Sequence, residues 1–184
     1  MTAAMFGLLT ALFVSSCSSS LSYNEAIQKN ISRIDDSERH EDAQFLVDAA
    51  SYNMLATQMA EAAIKSGYSA SLVSLARENY KQHEEMGKEI KKLARKEHIV
   101  LPAEMSDEHQ RKLAELTSAD RREFDRTYIR LLGDISDDDS EKFSRMATEA
   151  KSDDIRAFAA RELAIFESHK TQLETVDAEL LKTY

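Results

Sequence analysis

The sequence predicts an all-α protein: a four-helix bundle with one long crossover and otherwise short links. The chain of 184 residues contains only 4 Gly and 1 Pro, far fewer turn residues than a β-sheet protein needs. Residues that favour helices, such as Ala, Glu, Lys and Leu, dominate the composition. Apolar residues recur every three or four positions along four long segments, which is the period of an amphipathic helix. The length suffices for one domain with a hydrophobic core.

The predicted helices follow one another with clear end signals. Gly67 and Pro102 mark the ends of the first two long helices, because Gly caps helices and Pro cannot continue them. Short helices are predicted at about 24–33 and 106–116, and long helices at about 41–66, 69–98, 118–150 and 152–182. The segment 97–119 is then the single crossover. Gly133 and the acidic run 137–140 predict either a kink or a break in the third long helix.

The N-terminal residues have the composition of a bacterial lipoprotein signal. Residues 3–14 are apolar apart from Thr10, a run too short to cross a bilayer but as long as a signal-peptide core. It is followed by Ser15, Ser16 and Cys17, the only cysteine. This arrangement predicts a signal peptide at 1–16 and a lipidated Cys17 with a tether and short helix at 17–40. A buried apolar helix with a free cysteine is the alternative, because no Lys or Arg precedes the run.

A lipid on Cys17 implies a location in the bacterial cell envelope. Ser18, the residue after the cysteine, indicates the outer membrane, with a bundle domain at 41–184 facing the periplasm. The expected partners are the membrane, through that lipid, and an envelope protein. Nucleic acid is not expected, because 33 acidic residues outnumber 24 basic ones and give a net charge of −9. A mean hydropathy of −0.48 excludes a multi-span membrane protein, and the sequence leaves the oligomeric state open.

Two of the five histidines lie on apolar faces of predicted helices. His83 lies on the second long helix and His169 on the fourth, where Glu162 precedes it by two turns on the same face. Imidazole and carboxylate groups bind first-row metals, so these three residues predict a metal site between the two helices. The alternative is a pair of core histidines bonded to neighbouring residues. No histidine has Glu three residues before it, which argues against the di-iron centre of ferritin-like bundles.

Several segments match the pattern of a known family. They are Asp42-Ala43-Gln44-Phe45-Leu46, Ala49-Ala50, Leu75-Ala76 with His83, Leu101-Pro102, Phe124-Asp125-Arg126-Thr127-Tyr128-Ile129, and Ala157-Phe158-Ala159 with Leu163 and His169. From about 41 to 181 the chain resembles the bacterial domain of unknown function 4142, a ferritin-like group often labelled as outer-membrane protein. The resemblance implies a ferritin-like four-helix bundle and a polar constellation in its core.

The departures from that family pattern fall on the same constellation. Ala56 stands where the family usually has Glu, Gln82-His83 where it has Asp-His, and Ile135-Ser136 where it has a second Asp-His. Both core histidines therefore remain, while two of their expected polar neighbours are missing. If relatives bind a metal at these positions, we expect this chain to bind it weakly or not at all.

A row of basic residues follows one face of the second long helix: Lys88, Lys91, Lys92, Arg95 and Lys96. Glu84, Glu85 and Glu89 lie beside them, so a solvated face is the first interpretation. The alternative is attraction of a tethered protein to anionic headgroups or to lipopolysaccharide phosphate.

These observations predict an envelope lipoprotein that is not an enzyme and acts as a non-catalytic binding or structural module of unknown ligand. The sequence contains no Gly-rich phosphate loop, no Gly-x-Ser-x-Gly and no second cysteine. No cofactor is expected. The alternative is a metal-binding ferritin-like protein with a partly lost centre, which uses His83, His169 and Glu162 to hold iron or another divalent ion.

Overall fold

The computed structural model describes residues 20–183, and all of its regular structure is helical within that range. The helices are α1 (Tyr23–Arg33), α2 (His40–Ser66), α3 (Ala70–Lys96), α4 (Asp107–Ser118), α5 (Phe124–Glu149) and α6 (Asp153–Thr183), with a 3-10 turn at Ser37–Arg39. This confirms the predicted all-α bundle. The predicted signal peptide and Cys17 lie outside the described residues.

The four long helices form two antiparallel hairpins, α2 with α3 and α5 with α6. The crossover between the hairpins runs back along α2. It begins beside Arg39, whose guanidinium donates to the carbonyl oxygen of Glu97 at 3.1 Å, and it then passes Ser51, whose Oγ accepts the backbone N–H of Ser106 at 2.9 Å. It ends where Leu113 and Thr117 line a groove together with Gln58 of α2. Helix α5 therefore starts at the same end of the bundle as α3, and one long connection joins the hairpins as predicted.

Of the two predicted alternatives for the third long helix, the break is wrong, because α5 is continuous from Phe124 to Glu149, and the kink stays a prediction. Ile135, Asp139 and Phe143 continue the buried face through the acidic run, so packing against the bundle holds the helix together. A Gly inside a helix costs only about 0.5–1 kcal/mol relative to Ala, which this packing offsets. The predicted start near 118 is also wrong, since residues 117 and 118 belong to α4.

Each hairpin link is held by a carboxylate from the opposite hairpin. Asp42, in the first turn of α2, accepts the backbone N–H groups of 151 and 152 at 2.9 and 2.8 Å. Asp125, in the first turn of α5, accepts those of 68 and 69 at 2.9 and 2.7 Å. Both carboxylates are buried. Because charged acceptors make the stronger hydrogen bonds in proteins, these two contacts fix the hairpins against each other at both ends.

Aromatic side chains fill the half of the bundle that contains the start of α2 and the end of α5. The Phe143 ring packs against the rings of Phe45, Phe158 and Phe166 at centroid distances of 4.8, 5.8 and 5.1 Å. Along α2 the buried face carries many alanines, which allow neighbouring helices to approach closely. A dry aromatic cluster therefore closes one side of the site described below.

Two reciprocal hydrogen bonds between a side chain and the backbone hold helix α1 against the bundle. The amide of buried Asn30 donates to the carbonyl oxygen of Val100 at 2.9 Å and accepts the Val100 N–H at 2.8 Å. The carbonyl oxygen of Leu21 accepts the backbone N–H of Ala103 at 2.8 Å. The chain that leads to Cys17 is thus fixed to the crossover from residue 21 onward. Within residues 20–183, no helix is long and apolar enough to cross a membrane.

Candidate functional site

One cross-section of the bundle core is polar, and each long helix supplies one of its side chains. These are Tyr52 of α2, His83 of α3, Ser136 of α5 and His169 of α6, which we call the polar layer; each is at most 6 % exposed. The His83 ring lies 5.4 Å from the Tyr52 ring and 6.0 Å from the His169 ring, between centroids. The Ser136 side chain is near enough to interact with the Tyr52 hydroxyl.

Most polar atoms of this layer make no hydrogen bond with the described residues. The unpartnered atoms are the Tyr52 hydroxyl, both ring nitrogens of His83, Ser136 Oγ and His169 Nδ1. Asn79 Oδ1 and Gln172 Oε1, about one turn away on α3 and α6, are also unpartnered. Nearly all buried polar groups in proteins have a partner, and an exception indicates bound water, an ion or a functional role. Their concentration at one level makes this layer the candidate site.

Burial keeps both imidazoles of the polar layer neutral. Desolvation, together with the neighbouring His169, lowers the pKa of His83 to about 3. Burial also lowers the pKa of His169. The Nε2–H of His169 donates to Oε1 of Gln82, which leaves the lone pair of His169 on Nδ1. Each ring therefore offers an unprotonated nitrogen inside the core.

The predicted metal set of His83, His169 and Glu162 is only partly brought together. The two rings are neighbours, whereas Glu162 precedes His169 by seven residues, about 10 Å along the helix axis. Burial raises the pKa of Glu162 to about 7. Among residues 20–183, no group of three or more His, Cys, Asp or Glu side chains is arranged to hold a metal ion. A di-iron centre needs several carboxylates, so the polar layer does not fit one.

A groove between α5 and α6 connects the polar layer with the surface. Its volume is about 210 Å³, and its lining includes Gly133, Ser136 and Leu173. A Cβ atom at Gly133 would meet nothing within 4 Å, so this glycine leaves open space at the groove. Lys170 pairs with Asp137 across the groove at 3.4 Å. Ser136 belongs both to the groove and to the layer, so the groove reaches the edge of the layer.

Sequence reasoning missed the roles of Tyr52 and Ser136. In the sequence, Tyr52 falls on the apolar face of the first long helix, and Ser136 is conspicuous only as a departure from a family pattern. A polar residue on the buried face of each of four helices was the available signal. Sequence alone could not use this signal. Residues of four helices can be assigned to one level of the core only when the positions of the helices along the bundle axis are known.

The basic row of α3 remains exposed in the folded protein. Lys88 pairs with Glu85 at 2.6 Å, and Lys96 pairs with Asp154 of α6. Lys91, Lys92 and Arg95 form no ion pair with any described residue. The structure thus separates the row into two neutralised ends and a charged middle.

The comparison with models of protein families shows which family the chain belongs to. The model of a domain of unknown function, DUF4142, matches residues 32–176. The chain belongs to the DUF4142 family. No curated protein and no solved structure matches it. Two of the positions that the resemblance marks as departures, Gln82 and Ser136, lie at the polar layer, and Ala56 follows Tyr52 by one turn on the buried face of α2.

Proposed function

We propose that this DUF4142 protein is a lipid-anchored protein of the bacterial envelope whose bundle is a non-catalytic binding module. The polar layer is its binding site. One observation carries the proposal: four helices contribute polar side chains to one level of the core, and five of their polar atoms have no partner among the described residues. A ligand that enters the layer would supply those partners.

Energetics favour a binding role over a purely structural one. A buried polar atom without a hydrogen bond costs about 1–3 kcal/mol. Apolar side chains of similar size at these positions would avoid that cost. A layer kept for stability alone would therefore be apolar or fully bonded. The groove at Ser136 supports the same conclusion, because it offers a path from solvent to the layer.

The chemistry of the layer supports binding rather than catalysis. A general base works best with a pKa near the operating pH, whereas burial lowers the pKa of His83 to about 3. Gln82, not a carboxylate, orients His169, so nothing in this contact raises its basicity. Neutral imidazoles of this kind act as acceptors or as ligands.

The distance between the anchor and the bundle supports a location close to a membrane. Residue 21 is fixed to the crossover by the Ala103 N–H. Three residues lie between Cys17 and that point, and the four steps from residue 17 to residue 21 span at most about 14 Å when extended. A lipid on Cys17 would therefore hold the bundle near the membrane surface, where an envelope protein can contact it. We propose the outer membrane as that surface, from Ser18.

Native mass spectrometry of the lipidated protein, extracted from bacterial membranes in mild detergent, tests the binding site. We expect the native mass to exceed the denatured mass by one bound species. Ser136→Leu should remove that species by filling the layer, whereas Ser144→Leu, at an exposed position of α5, should retain it. Equal native and denatured masses for the parent protein would refute a binding role.

Labelling with a palmitate analogue tests the anchor independently. The parent protein should take up the label and sediment with membranes. Cys17→Ala should abolish both, because no other cysteine is available. Label retained in the Cys17→Ala variant would contradict the proposed lipidation.

A further inference from the structure

We propose that the polar layer binds one transition-metal ion that prefers imidazole, Zn²⁺ or Cu²⁺, through His169 Nδ1 and a ring nitrogen of His83. This inference rests on the proposed function, because it names the class of ligand for the same site. The ion differs from the iron of a ferritin-like centre, and Glu162 is not among its ligands.

The separation of the two rings suits a single shared ion. A metal ion lies about 2.0–2.1 Å from an imidazole nitrogen, and hence about 3.2 Å from the ring centroid. Two rings bound to one ion then have centroids about 5.2 Å apart at a tetrahedral angle and about 6.4 Å apart in a linear arrangement. The observed distance between His83 and His169 is 6.0 Å, within that interval.

The hydrogen bond between His169 and Gln82 is the kind that orients a metal ligand. Metal-binding histidines usually donate their second ring N–H to a carbonyl or carboxylate, which fixes the ring and its tautomer. His169 does so through Nε2 to the side-chain carbonyl of Gln82, and its Nδ1 is buried without a partner. Both nitrogens of His83 are also unpartnered. The layer thus presents two prepared nitrogen donors on adjacent helices.

The donor set selects among metal ions. Imidazole suits Zn²⁺ and Cu²⁺, whereas Mg²⁺ and Ca²⁺ require oxygen ligands, chiefly carboxylates. The hydroxyl groups of Tyr52 and Ser136 in the same layer, or water admitted through the groove, would supply the remaining ligands. Two protein nitrogens with open positions give an exchangeable site rather than a closed structural one.

Glu162 is a buried carboxyl group that is available to balance the charge of a cation, whereas Asp139 already pairs with Lys142 at 3.1 Å. Asp139 and Glu162 both act electrostatically on the Tyr52 hydroxyl, and burial raises their pKa values to about 6 and about 7. A dication in a neutral core would be costly without nearby negative charge. Glu162 lies outside the coordination sphere, and its ionised form would reduce that cost.

Competition titration with a chromophoric zinc indicator tests the site in the lipidated protein in detergent, after removal of metals with a chelator. We expect one Zn²⁺ per chain. His83→Leu and His169→Leu should each weaken binding at least ten-fold. Gln82→Leu should weaken it about ten-fold through loss of ring orientation. His109→Leu is the matched control, because that buried histidine bonds Ser51 and should leave the Zn²⁺ affinity unchanged.

Electron paramagnetic resonance of the Cu²⁺-loaded protein supplies a readout that folding alone would not change. Hyperfine coupling from two imidazole nitrogens should appear, and one should disappear in each histidine variant that remains helical by circular dichroism. Absence of Zn²⁺ and Cu²⁺ binding, or equal affinity in the parent and both histidine variants, would overturn the inference.

The metal titration and native mass spectrometry together distinguish failure of the metal inference from failure of the proposed function. If no metal binds but native mass spectrometry shows an organic species that Ser136→Leu removes, the metal inference is overturned and the binding module stands. If neither a metal nor an organic species is found, both are overturned.

Discussion

Replacing His83 with leucine should stabilise the metal-free protein, although it removes a polar side chain from the centre of the core. A neutral imidazole carries one N–H donor and one acceptor nitrogen, and neither nitrogen of His83 has a hydrogen-bond partner. Leaving such groups buried and unpaired costs about 1–3 kcal/mol. Leucine has a similar volume and no polar atom, so it should regain that free energy.

The expected gain in the free energy of unfolding is about 1–3 kcal/mol. For a domain of this size, each kcal/mol corresponds to a rise of about 2–4 °C in Tm. Urea denaturation followed by circular dichroism at 222 nm measures the first quantity, and a thermal scan measures the second. Chelator must be present throughout, because a bound ion would stabilise the parent protein by mass action.

His109 provides the matched comparison for His83. It is also buried, but its Nδ1 bonds the hydroxyl of fully buried Ser51 at 2.7 Å. His109→Leu should therefore destabilise the protein by about 1 kcal/mol, opposite in sign to His83→Leu. If His83→Leu also lowers the free energy of unfolding by more than 1 kcal/mol, its imidazole is bonded in solution, and the layer is not unsatisfied.

Three further perturbations test other parts of the structure. Asp42→Ala should cost about 2–4 kcal/mol in urea denaturation, because the backbone N–H groups of 151 and 152 lose a buried, charged acceptor. Glu41→Ala beside it removes only a surface ion pair and should change stability by less than about 1 kcal/mol. Burial raises the pKa of Glu162 to about 7, so the folded state retains a proton that the unfolded state releases near pH 4.5. Stability should then fall as pH rises from about 4.5 to 7, and Glu162→Gln should flatten this slope; an unchanged slope would contradict the raised pKa. Gly133→Ala should raise Tm and add about 0.5–1 kcal/mol to the free energy of unfolding, because the new Cβ enters open space. Gly87→Ala should stabilise the protein less or destabilise it, because its Cβ would lie 2.7 Å from a side-chain amide nitrogen of α2.

The amphipathic period was enough to predict the bundle because it depends on local sequence. The 3–4 spacing of apolar residues located all four long helices, and Gly67 ends α2 as predicted. The errors occurred where local propensity and tertiary packing disagree. The run 137–140 is rich in residues that cap helices, yet Ile135 and Phe143 on either side are buried and keep α5 continuous.

The site was only half predictable for a different reason. His83 and His169 were found because a histidine on an apolar face is conspicuous in one helix at a time. The reciprocal contacts of Asp42 and Asp125 with opposite links were not foreseen, since they depend on how the hairpins dock. Glu162 shares a face with His169 but lies two turns away, so sharing a face did not establish a shared site.

Two of the departures that the family resemblance implies, Ala56 and Ser136, lie on one side of the site, whereas Gln82 lies beside His83 on α3. The two retained imidazoles come from α3 and α6, which are adjacent helices. The two shortened positions, Ala56 and Ser136, come from α2 and α5 on the other side of the core. Ser136 also lines the groove to solvent. Relative to the pattern that the resemblance implies, the short side chains leave fewer donors on the side of the groove. If the proposed ion binds, such a layer would hold it less tightly than one with donors from all four helices, and would leave coordination positions for an incoming molecule.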